Sequence, residues 1–232
     1  MAYPTVSAPY GFKPINRFDG IPYAGATQLY PVTSGQAVYT GQVVAFVNGG
    51  TISPVADISV DSIYAVGICT GVQYTNSSGQ TVQAQYAPAS GVSNVYAYVV
   101  NDPAAVFKVA VTGNNSTITP VPATVLNTNV DGVTGTPSST TGDATSSVDG
   151  TTADAGATSL FRIVGLVEET KNPTTGYYSE VLVKFNLSKE AIDKWGSKRH
   201  FGELRPGEKT ASCASEFPSS RAEKRGGNSR SK

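Results

Sequence analysis

The sequence predicts an all-β protein: an antiparallel β-barrel or β-sandwich, the jelly roll included. It adds an extended N-terminal arm, a long flexible loop and a disordered or partly helical C-terminal tail. Three observations carry this. In the stretch from Asn94 to Val111, apolar residues alternate with period two, Tyr96, Tyr98 and Val100 before an Asn-Asp-Pro corner, then Phe107, Val109 and Val111 after it. Such alternation belongs to half-buried strands. Charged residues make up only 15% of the 232-residue chain, against about 25% in an average globular protein. The 24 Gly and 14 Pro punctuate short runs rich in Val, Thr and Tyr, residues that suit a pleated surface.

Residues 1–26 contain four prolines and no periodicity. Proline fixes φ and removes a donor, so an extended arm fits better than an interior strand. Its aromatics, Tyr3, Tyr10, Phe12, Phe18 and Tyr23, either pack on the protein's own body or anchor the arm elsewhere, and they are the candidate contact residues. A single β domain is expected over 27–187, with strands at Gln28–Val32, Gln42–Val47, Thr51–Val55, Ile63–Tyr74, Thr81–Tyr86, Asn94–Val100 and Ala105–Val111. Asn48-Gly49-Gly50 marks a hairpin, because primed turns need residues that tolerate positive φ. In Ile63–Tyr74, Tyr64, Val66, Ile68, Val72 and Tyr74 share one parity, while Gly67 and Gly71 take the other, where a neighbouring backbone can approach. Residues 127–157 are Gly, Ser, Thr, Asp and Ala with no aromatic and no Lys or Arg. This composition reads as a long exposed loop. Its aspartates lack the spacing of a calcium-binding loop. Leu160–Val167 and Tyr177–Leu187 close the body. In the second, Tyr177, Val181, Val183, Phe185 and Leu187 lie on one side and Glu180, Lys184 and Asn186 on the other, a pattern that wants one core face and one wet face.

Residues 188–232 change texture. Residues 1–185 carry 6 Lys+Arg against 11 Asp+Glu, whereas 186–232 carry 11 against 6. Ser188 to Trp195 could start a short helix; beyond it the polar, basic segment is expected to be a solvated terminus rather than a nucleic-acid arm.

The reactive inventory is thin. His200, the one histidine, lies in the basic tail, and the two cysteines are Cys69, in an apolar strand, and Cys213, in the tail. A Ser-His-Asp triad, a Cys-His pair or a His/Cys zinc cluster cannot be assembled in the body. No phosphate-cradling Gly loop joins a strand to a helix. Glu168 and Glu169, being adjacent, would face opposite sides of a strand. The expectation is a non-enzyme with no cofactor and no metal. The N-terminus has no basic and apolar leader pattern, and no run approaches the ~20 apolar residues of a membrane helix, so no membrane is expected.

Several segments, in order, resemble the head-decoration, or capsid-cement, proteins of tailed bacteriophages. They are Tyr10-Gly11-Phe12-Lys13-Pro14-Ile15, Pro22-Tyr23-Ala24-Gly25-Ala26-Thr27, Tyr39-Thr40-Gly41-Gln42-Val43-Val44 and Ala65-Val66-Gly67-Ile68. Then come the Tyr-Val-Val-Asn-Asp-Pro-x-x-x-Phe stretch ending at Phe107, Leu160-Phe161-Arg162-Ile163-Val164-Gly165-Leu166-Val167, and Val181-Leu182-Val183-Lys184-Phe185-Asn186. The resemblance covers most of residues 10–186. It implies a structural virion protein, assembled in the host cytoplasm, that sits on the capsid exterior, contacts the major capsid protein and stiffens the shell. It also implies a compact barrel or sandwich that is frequently trimeric, so a homo-oligomer is expected. The chain departs from this pattern after Asn186, and nothing is carried onto the tail. A tail-fibre, spike or host-surface-binding β protein is the alternative class; it would favour repeats, and none is visible.

Overall fold

The computed structural model describes residues 6–47, 49–59, 65–112, 125–155, 159–170 and 177–186. Tyr3, the Ser188–Trp195 helix and the basic tail lie outside the described residues. The described chain is all β, in fifteen strands. They are β1 (Lys13–Arg17), β2 (Gln28–Pro31), β3 (Val38–Tyr39), β4 (Val43–Val47), β5 (Thr51–Pro54), β6 (Ala65–Asn76), β7 (Thr81–Ala84) and β8 (Tyr86–Ala87). The rest are β9 (Val92–Val100), β10 (Ala105–Thr112), β11 (Asn129–Val130), β12 (Gly132–Val133), β13 (Ser147–Asp149), β14 (Phe161–Leu166) and β15 (Glu180–Phe185), with one 3-10 turn at Gly150–Thr152.

Two large sheets form. One has the order β11-β14-β15-β10-β13-β12, with β1 also on β10; the other runs β2-β9-β6-β4-β5, with β7 also on β6. Pairing is antiparallel throughout both except between β10 and β13. The sheets meet across a core in which Phe107, Val109, Val181 and Val183 of the first face Val43, Ile68 and Val100 of the second. A second cluster, Val44, Val66, Val72, Ala97 and Val99, lies on the opposite side of the six-stranded sheet under Val38 and Ala87 of the small β3–β8 ribbon.

The split of β6 between the two cores corrects the single-face reading of Ile63–Tyr74. Ile68 joins one core, and Val66 and Val72 the other. Register shifts against β4, between Val44 and Ala45, and against β9, between Cys69 and Gly71, each insert one residue into β6. An inserted residue reverses the facing of everything after it. Gly67 behaves as expected, since a Cβ there would lie 2.1 Å from the Val100 carbonyl oxygen. The Asn-Asp-Pro corner also differs from a hairpin. β9 and β10 belong to different sheets, so the corner carries the chain from one layer to the other, with the Ala104 amide donating to the Asp102 carboxylate.

Two segment boundaries move. Residues 13–17 of the expected arm form β1 and pair with β10, leaving little of the described arm independent of the body. Pro14 and the register shift between Pro14 and Asn16 sit in this edge strand, where a missing donor is tolerated. Within 127–157 the chain adds β11, β12 and β13 to the first sheet and buries Val130, Ala144 and Val148. Its small residues serve close packing: a Cβ on Gly132 would meet Ile58 at 2.6 Å, and one on Gly135 would meet the Thr145 carbonyl at 2.1 Å. Low apolar content signals exposure only where large side chains are needed to fill space, and here backbone fills it.

Candidate interaction surface

The four candidate contact residues among the described ones, Tyr10, Phe12, Phe18 and Tyr23, do not act as a set. Phe12 is fully buried and stacks on Phe161, ring centroids 4.5 Å apart, inside the main core. Tyr10 is turned inward as well. Its hydroxyl donates to the Glu180 carboxylate, which also holds the Lys108 ammonium at 3.0 Å. The Lys13 ammonium lies 4.3 Å from the Tyr10 ring centroid, a cation–π contact. Burial, reinforced by the hydrogen bond and charge of Glu180, pushes the Tyr10 phenol well above its ordinary value. Tyr23 is half-buried against the core, and its hydroxyl donates to the Ala26 carbonyl at 3.1 Å. For Phe12 and Tyr10 the structure corrects the contact assignment. An aromatic among prolines looks unmatched in sequence, but its partners lie 149 and 170 positions away.

Of the four candidates among the described residues, Phe18 alone projects, 61% exposed, at the tip of the loop that follows β1. The tip closes through the Arg17 amide to the Ile21 carbonyl at 2.8 Å, with the Gly20 amide donating to the Arg17 carbonyl. Ile21 beside it is 56% exposed, and sequence reasoning missed it. Arg17 bridges Asp19 and Asp102, both at 3.3 Å, which braces the tip.

A second apolar surface follows from sheet geometry. On β9, Val100 points into the main core, so Tyr98 and Tyr96, two and four residues back, share its face. Leu29 pairs with Tyr98 and Pro31 with Tyr96 on β2, and Gln73 pairs with both Tyr96 and, across β7, Gln83. The face that is buried at Val100 therefore continues as an uncovered surface, with Leu29 47% and Tyr96 36% exposed. The Tyr98 hydroxyl donates to Gln73 at 3.0 Å and accepts from Gln83 at 3.3 Å, which fixes the ring within the sheet surface. Alternation alone signalled a strand here but could not show where the covering sheet stops.

Among the described residues, two open surface cavities stand out. One, of about 270 Å³, is lined by Val32, Gln36, Pro88, Asn94 and Tyr96. The other, of about 360 Å³, is lined by Asp57, Asp131 and Asp149 with Ser59, Thr134 and Thr152. The Ser59 hydroxyl, and then its amide, hold the Asp57 carboxyl below the usual range. Among the described residues no group of three His, Cys, Asp or Glu side chains is placed to hold a metal ion. Cys69 is a buried free thiol. No described helix is long and apolar enough to cross a membrane. No protein-family model, curated protein or solved structure matches the chain.

Proposed function

We propose that this chain is a structural virion protein of a tailed bacteriophage that binds the outside of the capsid and stabilises the head. The observation that carries the reading is the uncovered continuation of the core-facing sheet surface at Leu29, Tyr96 and Tyr98, joined by the projecting Phe18–Ile21 tip. Exposed apolar groups on a rigid β body cost solubility unless a partner covers them. The resemblance of the ordered sequence segments to head-decoration proteins supports the same reading and suggests the partner, the major capsid protein. A head that presents many equivalent sites multiplies modest single contacts.

The test uses heads lacking the protein, incubated with the purified chain and imaged by electron microscopy. Wild-type protein should add regular density outside the shell and raise the temperature at which heads release their contents. Phe18→Asp with Ile21→Asp, and separately Leu29→Asp with Tyr96→Asp, should weaken binding while far-ultraviolet circular dichroism stays unchanged. Full binding by both folded double variants would reject these surfaces, and absence of density with wild-type protein would reject the function.

A further inference from the structure

The cavity of about 270 Å³ opens between the turn that follows β2, the loop that precedes β9, and the first half of β9 itself. Every residue that lines it is uncharged. Its polar groups are amides and hydroxyls, from Gln36, Asn94, Ser34, Ser93 and Tyr96. None of these five side chains hydrogen-bonds another described residue. The backbone at Asn94 is special. Between the pairs Gln73↔Tyr96 and Thr75↔Ser93, β6 advances two residues and β9 three, so β9 bulges. Asn94 takes the left-handed conformation there, φ +49°. Glycine ordinarily fills a left-handed bulge position, and Asn tolerates it when its side chain bonds locally. Here the Asn94 side chain makes no such local bond and borders the cavity. Bulges of this kind re-aim a side chain, and strain that Gly would relieve points to a role for that side chain.

We propose that this cavity binds one ring of a neutral saccharide. A sugar ring presents hydroxyls around its edge and C–H groups on its faces. Each amide of Gln36 and Asn94 offers both a donor and an acceptor, and each hydroxyl of Ser34 and Ser93 does the same, which matches sugar hydroxyls that need both. Tyr96, 36% exposed, supplies an apolar ring with a polar tip for the C–H face. Ionic ligands fit less well. A phosphate, carboxylate or ammonium would lose hydration here without meeting an opposite charge. That disfavours nucleotides as well, since they carry phosphate. The inference goes beyond capsid binding: Gln36 and Asn94 lie outside the surfaces assigned to the capsid, and only Tyr96 is shared.

Amide resonances of the full chain, followed by nuclear magnetic resonance, test it. The probes are glucose, galactose, mannose and N-acetylglucosamine, each titrated to about 50 mM. At least one should shift the amides of Gly35, Gln36, Ala89, Ser93 and Asn94 saturably, with a dissociation constant of about 1–10 mM, as suits a small ligand on an open site. Glycerol, which has hydroxyls but no ring, and inorganic phosphate should leave them in place. Asn94→Gly is the sharpest variant, because it keeps the left-handed backbone and removes only the amide. It should be at least as stable as wild type in urea and bind the sugar about tenfold more weakly or worse. Gln36→Ala should weaken binding in the same direction with an unchanged circular dichroism spectrum. Asn94→Gly should still bind heads like wild type, so the sugar reading and the capsid reading fail separately. No saturable shift with any of the four sugars, equal shifts with glycerol or phosphate, or a folded Asn94→Gly that binds sugar like wild type each overturns the proposal.

Discussion

Gly11 and Gly41 cross backbone to backbone. A Cβ built on Gly11 would lie 2.9 Å from the Gly41 Cα, and one built on Gly41 would lie 2.9 Å from the Gly11 Cα. Both residues have positive φ, +83° and +80°. The crossing is locked by hydrogen bonds: the Phe12 amide donates to the Gly41 carbonyl at 3.1 Å, and the Gly41 amide to the Cys69 carbonyl at 2.7 Å. It threads the N-terminal segment against the β3–β4 corner and delivers Phe12 into the core. Gly11→Ala should therefore combine an unfavourable left-handed backbone, about 1–2 kcal/mol, with an overpacking cost of about 1–3 kcal/mol. Gly20, at φ +81° with open space around it, isolates the first contribution. Urea unfolding should show Gly11→Ala clearly more destabilising than Gly20→Ala; equal effects would mean that the crossing is not tight in solution.

Phe12 and Phe18 are six residues apart, and their substitution should have opposite consequences. Phe12→Ala removes a fully buried ring stacked on Phe161, and the expected loss is about 3–5 kcal/mol. Phe18→Ala removes an exposed ring with one cation–π contact, and the expected loss is below about 1 kcal/mol. Chemical denaturation of the two variants checks this. It also replaces a cruder test, deletion of residues 1–26: because β1 and Phe12 are built into the body, that deletion should unfold the chain rather than release a separable arm.

The sequence showed most strands and little of their arrangement, for a physical reason. Alternation reports local facing, so the strands at 28–32, 42–47, 51–55, 94–100, 105–111 and 160–167 were legible to within a residue or two at each end. Sheet membership depends on contacts remote in sequence, so alternation on both sides of the Asn-Asp-Pro corner could not show that the corner separates β9 and β10 into different sheets. Bulges are invisible to a period-two count, which is why Ile68 was grouped with Val66 and Val72. In the candidate surface, the sequence grouped Phe18 with the other arm aromatics and could not sort it from the buried Phe12, nor mark Ile21 and Leu29, because exposure is set by register and by partners remote in sequence.

The Tyr10–Glu180 contact gives stability a dependence on alkaline pH. The phenol's ordinary pKa is 10.0, and in the folded chain it is raised, mainly by burial and then by Glu180. A raised pKa means that the folded state favours the protonated phenol. Its contribution is complete below pH 10 and declines as pH rises above it, because the unfolded chain ionises first. Tyr23, whose pKa burial also raises, acts in the same direction. Unfolding free energy should fall between about pH 10 and 11, and Tyr10→Phe should flatten that slope while costing about 1 kcal/mol at neutral pH through the lost hydrogen bond to Glu180. A slope unchanged in Tyr10→Phe would place the alkaline sensitivity elsewhere.

Cys69 should be chemically silent in the folded protein. It is fully buried in the second core, its thiol donates to the Gly71 carbonyl at 3.4 Å, and burial pushes its pKa up to about 12. The thiolate is the reactive form, so both the access and the ionisation that an electrophile needs are withheld. Cys213→Ser leaves Cys69 as the only thiol. That variant should release no thionitrobenzoate from Ellman's reagent at pH 8 in buffer, and one equivalent per chain in concentrated guanidinium. Because the folded pKa lies above the ordinary 9.0, the thiol also adds stability that is present below pH 9 and fades as pH rises above it. Prompt labelling of the native variant would show that the β6–β9 region opens locally with low free energy, contrary to a core that Val66, Val72, Ala97 and Val99 fill.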